Sequence, residues 1–145
     1  MKNSKKSLIL LPLLLAVLIS TYARIRAEGG ELVLSDNDIT LIEKALESTA
    51  PDCEFSASVA LASVILNRYR SSIYPDSVLS IIEGADFLEI DHTITPSERS
   101  RLALTYALHG SSPIKDAIGA FTVTEDEEVS VAEYIIIGNW CFYAE

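Results

Sequence analysis

Basic residues are scarce in this chain of 145 residues, and most of what it lacks narrows its chemistry. It holds 11 Lys and Arg against 21 Asp and Glu. Five of the 11 (Lys2, Lys5, Lys6, Arg24 and Arg26) lie in the first 27 residues. Beyond Ala27 stand 6 basic residues and all 21 acids, a formal charge of −15. That balance excludes nucleic acid as a partner, because phosphate binding needs Lys and Arg. There are only two histidines, His92 and His109, and two cysteines, Cys53 and Cys141. Neither pair shows metal-ligand spacing, so no metal is expected. No Gly-rich phosphate loop is present, no nucleophile stands beside a histidine motif, and no cofactor is implied. The acidic run Glu125-Asp126-Glu127-Glu128 lacks the alternating ligands and glycine of a calcium loop and reads as a solvated hairpin loop.

The N-terminus has the layout of a secretory signal peptide: a basic start, an apolar run from Leu8 to Ile19, and small residues at Thr21 and Ala23. The apolar run is shorter than the roughly 18–20 residues that span a bilayer. Residues 1–27 are therefore expected to act as a signal, with an uncleaved membrane anchor as the alternative. Residues 28–145 form one small domain in the secreted or cell-envelope space. In that setting two cysteines permit one disulfide. The alternative is a pair of reduced, buried thiols.

Within the domain the spacing predicts helices first and a small antiparallel sheet last, an α+β architecture. Ser35-Asp36-Asn37-Asp38 caps a first helix, and Ile39, Ile42, Leu46 and Thr49 share one face of it. A second helix runs from about Phe55 to Arg70 and is apolar nearly all round, as a central, buried helix must be. Ser77 to Glu83 is a short helix, followed by an acidic irregular stretch. Thr95-Pro96-Ser97-Glu98 starts the third long helix, with Thr95 as the expected cap, and His109-Gly110 ends it. Ala117 to Thr124 and Ser130 to Ile137 are rich in strand formers. Ile135-Ile136-Ile137, Gly138-Asn139 and Trp140-Cys141-Phe142-Tyr143 read as a hairpin with a two-residue turn.

The helix Val59 to Arg68 ending in Asn67-Arg68, with Tyr74-Pro75 and a second apolar helix after it, resembles the core signature of the SleB-like cell-wall hydrolases. Asp38 to Ile42, Tyr106 to Gly110 and Ile137 to Phe142 resemble other segments of that family in the same order. The resemblance covers about Asp38 to Tyr143. It implies a lysozyme-like, lytic-transglycosylase-like fold. It also implies action on bacterial peptidoglycan or another cell-wall glycan, by one protonated carboxylic acid. In the gapless register the family's acid falls on Thr49 and a second acid on Cys53. The family's histidine falls on Trp140, and its glutamine-phenylalanine pair on Asp86-Phe87.

Three readings stand open. In the first, the domain is an active hydrolase with a substitute acid. Glu47 is then the nearest catalytic candidate, with Asp52 and Glu54 behind it, although Glu47 lies about 200° around the helix from Thr49. In the second, it is a catalytically inactive module that binds glycan or a protein, with Trp140, Tyr143 and Phe87 stacking on sugar rings. In the third, its cleft has closed, and a Cys53–Cys141 disulfide joins the end of the first helix to the last strand. Asn67 and Arg68 are expected to be structural, as a helix-end cap and an ion pair or carbonyl ligand, with substrate contact as the alternative, and His92 is expected to be a surface residue without a partner.

Overall fold

The computed structural model describes residues 32–84, 87–124, 129–131 and 133–144. Four helices come first: α1 (Asp36–Thr49), α2 (Phe55–Arg70), α3 (Val78–Glu83) and α4 (Glu98–Leu108). Three strands follow: β1 (Gly119–Thr122), β2 (Tyr134–Ile137) and β3 (Trp140–Tyr143). The expected signal peptide, Asp86 and the acidic run 125–128 lie outside the described residues. Among those described, no helix is long and apolar enough to cross a membrane.

Helix α2 is the axis of the fold. Every residue from Ala57 to Leu66 is buried, which is why its sequence has no polar face. Ala57, Ala60, Ala62 and Ser63 carry little bulk, so neighbours come close to its backbone. α4 packs most extensively on it, α1 and α3 close its other sides, and β1 touches it. Ile42, Leu46, Ile81, Ile82, Leu104 and Phe142 complete a single core.

Local chemistry sets the helix ends. Ser35 caps α1 within the stretch expected to do so, and with Asp38 it forms a reciprocal capping box. α4 ends in a Schellman motif. Ser111 N–H donates to the Tyr106 carbonyl at 3.0 Å, Gly110 N–H donates to that of Ala107 at 3.1 Å, and Gly110 adopts φ +76°. Its start differs from expectation: the cap is Ser97, not Thr95. The reason lies on another helix. The Glu47 carboxylate of α1 takes the Ser97 N–H and hydroxyl, which fixes Ser97 as the first residue of the turn.

The sheet order is β1-β3-β2, antiparallel throughout. The predicted hairpin is present as β2 and β3, joined by Gly138-Asn139, with Gly138 at φ +60°. β1 and β2 do not pair with each other; both flank β3.

The burial of α2 generates a prediction. Leu61 is fully buried, so Leu61→Ala should cost about 2–5 kcal/mol in urea unfolding. A loss below about 1 kcal/mol would contradict a central α2.

Candidate cleft at the end of helix α1

The last turn of α1 sends Glu47 one way and Ser48 and Thr49 another, since each residue advances about 100°. Glu47 turns to the start of α4. Its Oε2 accepts from the Ser97 hydroxyl and the Ser100 hydroxyl, each at 2.5 Å, and from Ser97 N–H at 3.2 Å. The hydroxyl of Ser100 has the largest effect on Glu47 and that of Ser97 the next; with the Ser97 amide they hold its carboxyl below the ordinary range, against a smaller opposing effect of burial. The positive end of α4 also favours the anion there. A general acid needs the reverse, a carboxyl raised by an apolar enclosure. The geometry makes Glu47 an anionic clamp between two helices.

Ser48 and Thr49 turn to the acidic stretch after α3. Ser48 Oγ accepts from Asp91 N–H at 2.8 Å. Thr49 Oγ1 donates to the Glu89 carbonyl at 3.0 Å and accepts from Glu89 N–H at 3.1 Å. One turn earlier, Lys44 Nζ donates to the His92 carbonyl at 2.5 Å. Residues 89–92 are thus strapped along α1. At the position where the resemblance puts an acid, the hydroxyl is occupied in both of its hydrogen-bonding roles.

Beside this strap lies a surface cleft of about 280 Å³. One wall is the turn after α1, Thr49 to Cys53. The other is Thr122 of β1, Asn139 of the hairpin turn and Trp140 of β3. Three positions that the resemblance assigned to a cleft, Thr49, Cys53 and Trp140, are therefore brought together. Val123 N–H donates to the Asn139 carbonyl at 2.8 Å and holds the second wall in place. Asp52, Thr122 and Asn139 are exposed, and among the described residues their side chains make no hydrogen bond or ion pair. Asp52 was a minor candidate from sequence; Thr122 and Asn139 were not singled out. Glu54, the remaining candidate, lies with its carboxyl carbon 3.7 Å from where a Cβ on Gly138 would stand.

Several expectations are corrected. Trp140 is only 6% exposed; it floors the cleft and has no free face on which a sugar could stack. Phe87 is absent from the cleft lining, and the Arg68 guanidinium covers its ring at 3.6 Å. Tyr143 lies over Gly119 and tilts against Phe121, with ring centroids 5.8 Å apart. The cysteines are free thiols, not a disulfide. Cys53 Sγ lies 3.1 Å from Ser58 Oγ, its carbonyl accepts from Arg99, and burial pushes the Cys141 thiol up. His92 has a partner, Glu83, at 3.7 Å on the surface.

Asn67 and Arg68 have structural partners: Arg68 is a carbonyl ligand, one of the expected roles, and Asn67 reaches distant carbonyls in place of the expected helix-end cap. Asn67 Nδ2 donates to the carbonyls of Lys115 and Ala117, and Arg68 Nε donates to that of Ile118. One carboxyl that sequence reading passed over is Glu43, raised by burial and opposed by Arg101 at 3.8 Å. It stands on the face of α1 toward α4, outside the cleft lining.

No protein-family model matches the chain. Two solved structures share its fold. The catalytic domain of the Bacillus cereus SleB protein aligns with a TM-score of 0.64 and 27% identity, over 76% of this chain and 91% of that one. The catalytic domain of the germination-specific lytic transglycosylase SleB from Bacillus anthracis aligns with a TM-score of 0.62 and 26% identity, over 75% and 95%. The chain is similar in fold and sequence to these SleB catalytic domains. Curated relatives agree. The spore cortex-lytic enzyme of Halalkalibacterium halodurans is 41% identical over 83 residues, 54% of this chain and 25% of the relative. That of Bacillus subtilis is 36% identical over 91 residues, 60% of this chain and 30% of the relative. The matched part thus spans about a quarter to a third of those curated relatives. The fold of the SleB-like domain is lysozyme-like, mostly helical with a small three-stranded antiparallel sheet.

The end of α1 yields two predictions. Glu47 has a folded-state pKa below its ordinary value of 4.5. Its contribution to stability is therefore present above pH 4.5 and is lost as pH falls through the lower folded value. Glu47→Gln should cost about 1–2 kcal/mol at pH 7, and the gap to the parent protein should shrink on acidification below 4.5. A gap that stays constant down to pH 2 would contradict the clamp. Thr49→Val should raise amide exchange at Glu89 and Asp91 while the amides of α2 keep their protection. Unchanged exchange at Glu89 would contradict the strap.

Proposed function

We propose that the SleB-like domain acts at bacterial peptidoglycan, with the glycan strand lying in the cleft between the Thr49–Cys53 turn and the β2–β3 hairpin turn. One observation carries the reading. Asp52, Thr122 and Asn139, whose side chains have no partner among the described residues, line one cleft with Trp140, where the resemblance puts the working positions of the family. A hydroxyl, an amide and a carboxylate supply both donors and acceptors, which suits the alternating hydroxyl and acetamido groups of an amino-sugar chain. The curated relatives are named spore cortex-lytic enzymes, and the solved relatives include one named a lytic transglycosylase. The N-terminal pattern supports export to the envelope, with residues 1–27 as the signal. Export would bring the domain to this substrate.

A second reading, binding without cleavage, is favoured by one specific feature. Thr49 cannot give a proton to a glycosidic oxygen at neutral pH, and Glu47 is held as an anion by two serines. Among the described residues Asp52 is the one carboxyl lining the cleft, and it is exposed. For cleavage in the cleft, Asp52 is the carboxyl placed in the lining, and Glu47 is not.

The test is co-sedimentation of the full chain with purified peptidoglycan, with soluble fragments assayed in the same tubes. The chain is expected to pellet with the wall material, and Glu47→Gln is expected to pellet equally. Failure to pellet would overturn the proposal. Release of fragments that Asp52→Asn abolishes would favour the lytic reading, and pelleting with no release would favour the second.

A further inference from the structure

We propose that the cleft selects glycan bearing free amino groups, that is, de-N-acetylated amino sugars, over fully N-acetylated glycan. This rests on the peptidoglycan reading above and names the form of the glycan that the same cleft prefers. Among the described residues that line the cleft, Asp52 is the only charged one, and no Lys, Arg or His stands there. The Asp52 carboxylate has no hydrogen bond or ion pair among the described residues, so it is free to pair with a ligand cation. Glu54 stands at the rim, its carboxyl against Gly138 in the turn that carries Asn139. Arg99, the cation that reaches Cys53 on the first wall, is already committed. Its guanidinium donates to the Cys53 carbonyl and lies 5.7 Å from the Phe55 ring centroid.

An acetamido group offers that carboxylate one N–H and adds bulk over a floor that Trp140 already fills. An ammonium offers three N–H donors and a positive charge in a smaller volume. Thr122 and Asn139, on the opposite wall, remain for the ring hydroxyls. The surrounding charge acts in the same direction: the chain beyond Ala27 carries −15 formally, which draws cationic glycan toward the surface and repels anionic polymers.

The inference predicts a difference between two ligands of equal length, a chitin oligosaccharide and its de-N-acetylated counterpart, measured by calorimetry on the full chain. The de-N-acetylated ligand should bind more tightly. Asp52→Asn should narrow that preference by about two- to fivefold, the size of an exposed ion pair. Glu133→Gln is the control, because Glu133 precedes β2 at the end of the strand away from the Gly138-Asn139 turn. It should leave the preference unchanged. Thr122→Ala should weaken both ligands alike.

Equal affinity for the two ligands, tighter binding of the N-acetylated one, or a preference that Asp52→Asn and Glu133→Gln reduce equally would overturn the inference. These results would leave the peptidoglycan reading standing if whole peptidoglycan still pellets the chain. Binding of neither oligosaccharide together with failure to pellet would overturn both.

Discussion

The structure depends on one constraint: α2 must be enclosed on every side. Ten consecutive buried residues leave it no solvent face, so each other element is placed by what it must cover. α4 takes the largest share because the small side chains of α2 admit it closely, and α1 and α3 take the remaining sides. β1 closes against α2 and aligns β3, whose Trp140, Cys141 and Phe142 are buried in turn. The cleft is a by-product of this enclosure. It opens where the turn leaving α1 meets the hairpin turn leaving β2, at the edge of the covered core.

The last turn of α1 is the junction at which fold and chemistry compete. Its polar side chains are spent on architecture: Glu47 joins α1 to α4, Ser48 and Thr49 hold the segment after α3, and Lys44 holds its far end. A carboxylate that accepts two hydroxyls and a backbone amide at a helix start is stabilised as the anion. A lysozyme-like scaffold that works by proton donation needs a neutral carboxyl near the glycosidic bond. The same turn cannot meet both demands with these residues; in the cleft beside it, Asp52, Thr122 and Asn139 have no side-chain partner among the described residues.

Much of the fold was legible because it rests on local pattern. The apolar run Ala57 to Leu66, the capping box Ser35/Asp38, the glycine after His109 and the Gly138-Asn139 turn each carry their structure in a few adjacent residues. The errors arose where a distant residue decides. Ser97 caps α4 because Glu47 reaches it from another helix, and no local signal contains that contact. The pairing of β1 with β3, not β2, follows from how the sheet closes on α2. In the cleft, the family register located Thr49, Cys53 and Trp140 correctly as neighbours. It could not show that the thiols are free, that Trp140 is covered, or that Phe87 is taken by Arg68. Asn139 was in view as a turn residue, but its role as a cleft wall needs the third dimension.

The most direct test of the account is chemical-shift mapping of the full chain titrated with a soluble peptidoglycan glycan fragment. The account predicts shifts concentrated at the amides of Asp52, Cys53, Thr122 and Asn139 and at the Trp140 indole N–H, with those of Ser97 and Ser100 around Glu47 unmoved. Shifts centred on Glu47, Ser97 and Ser100, or none at the hairpin turn, would contradict it.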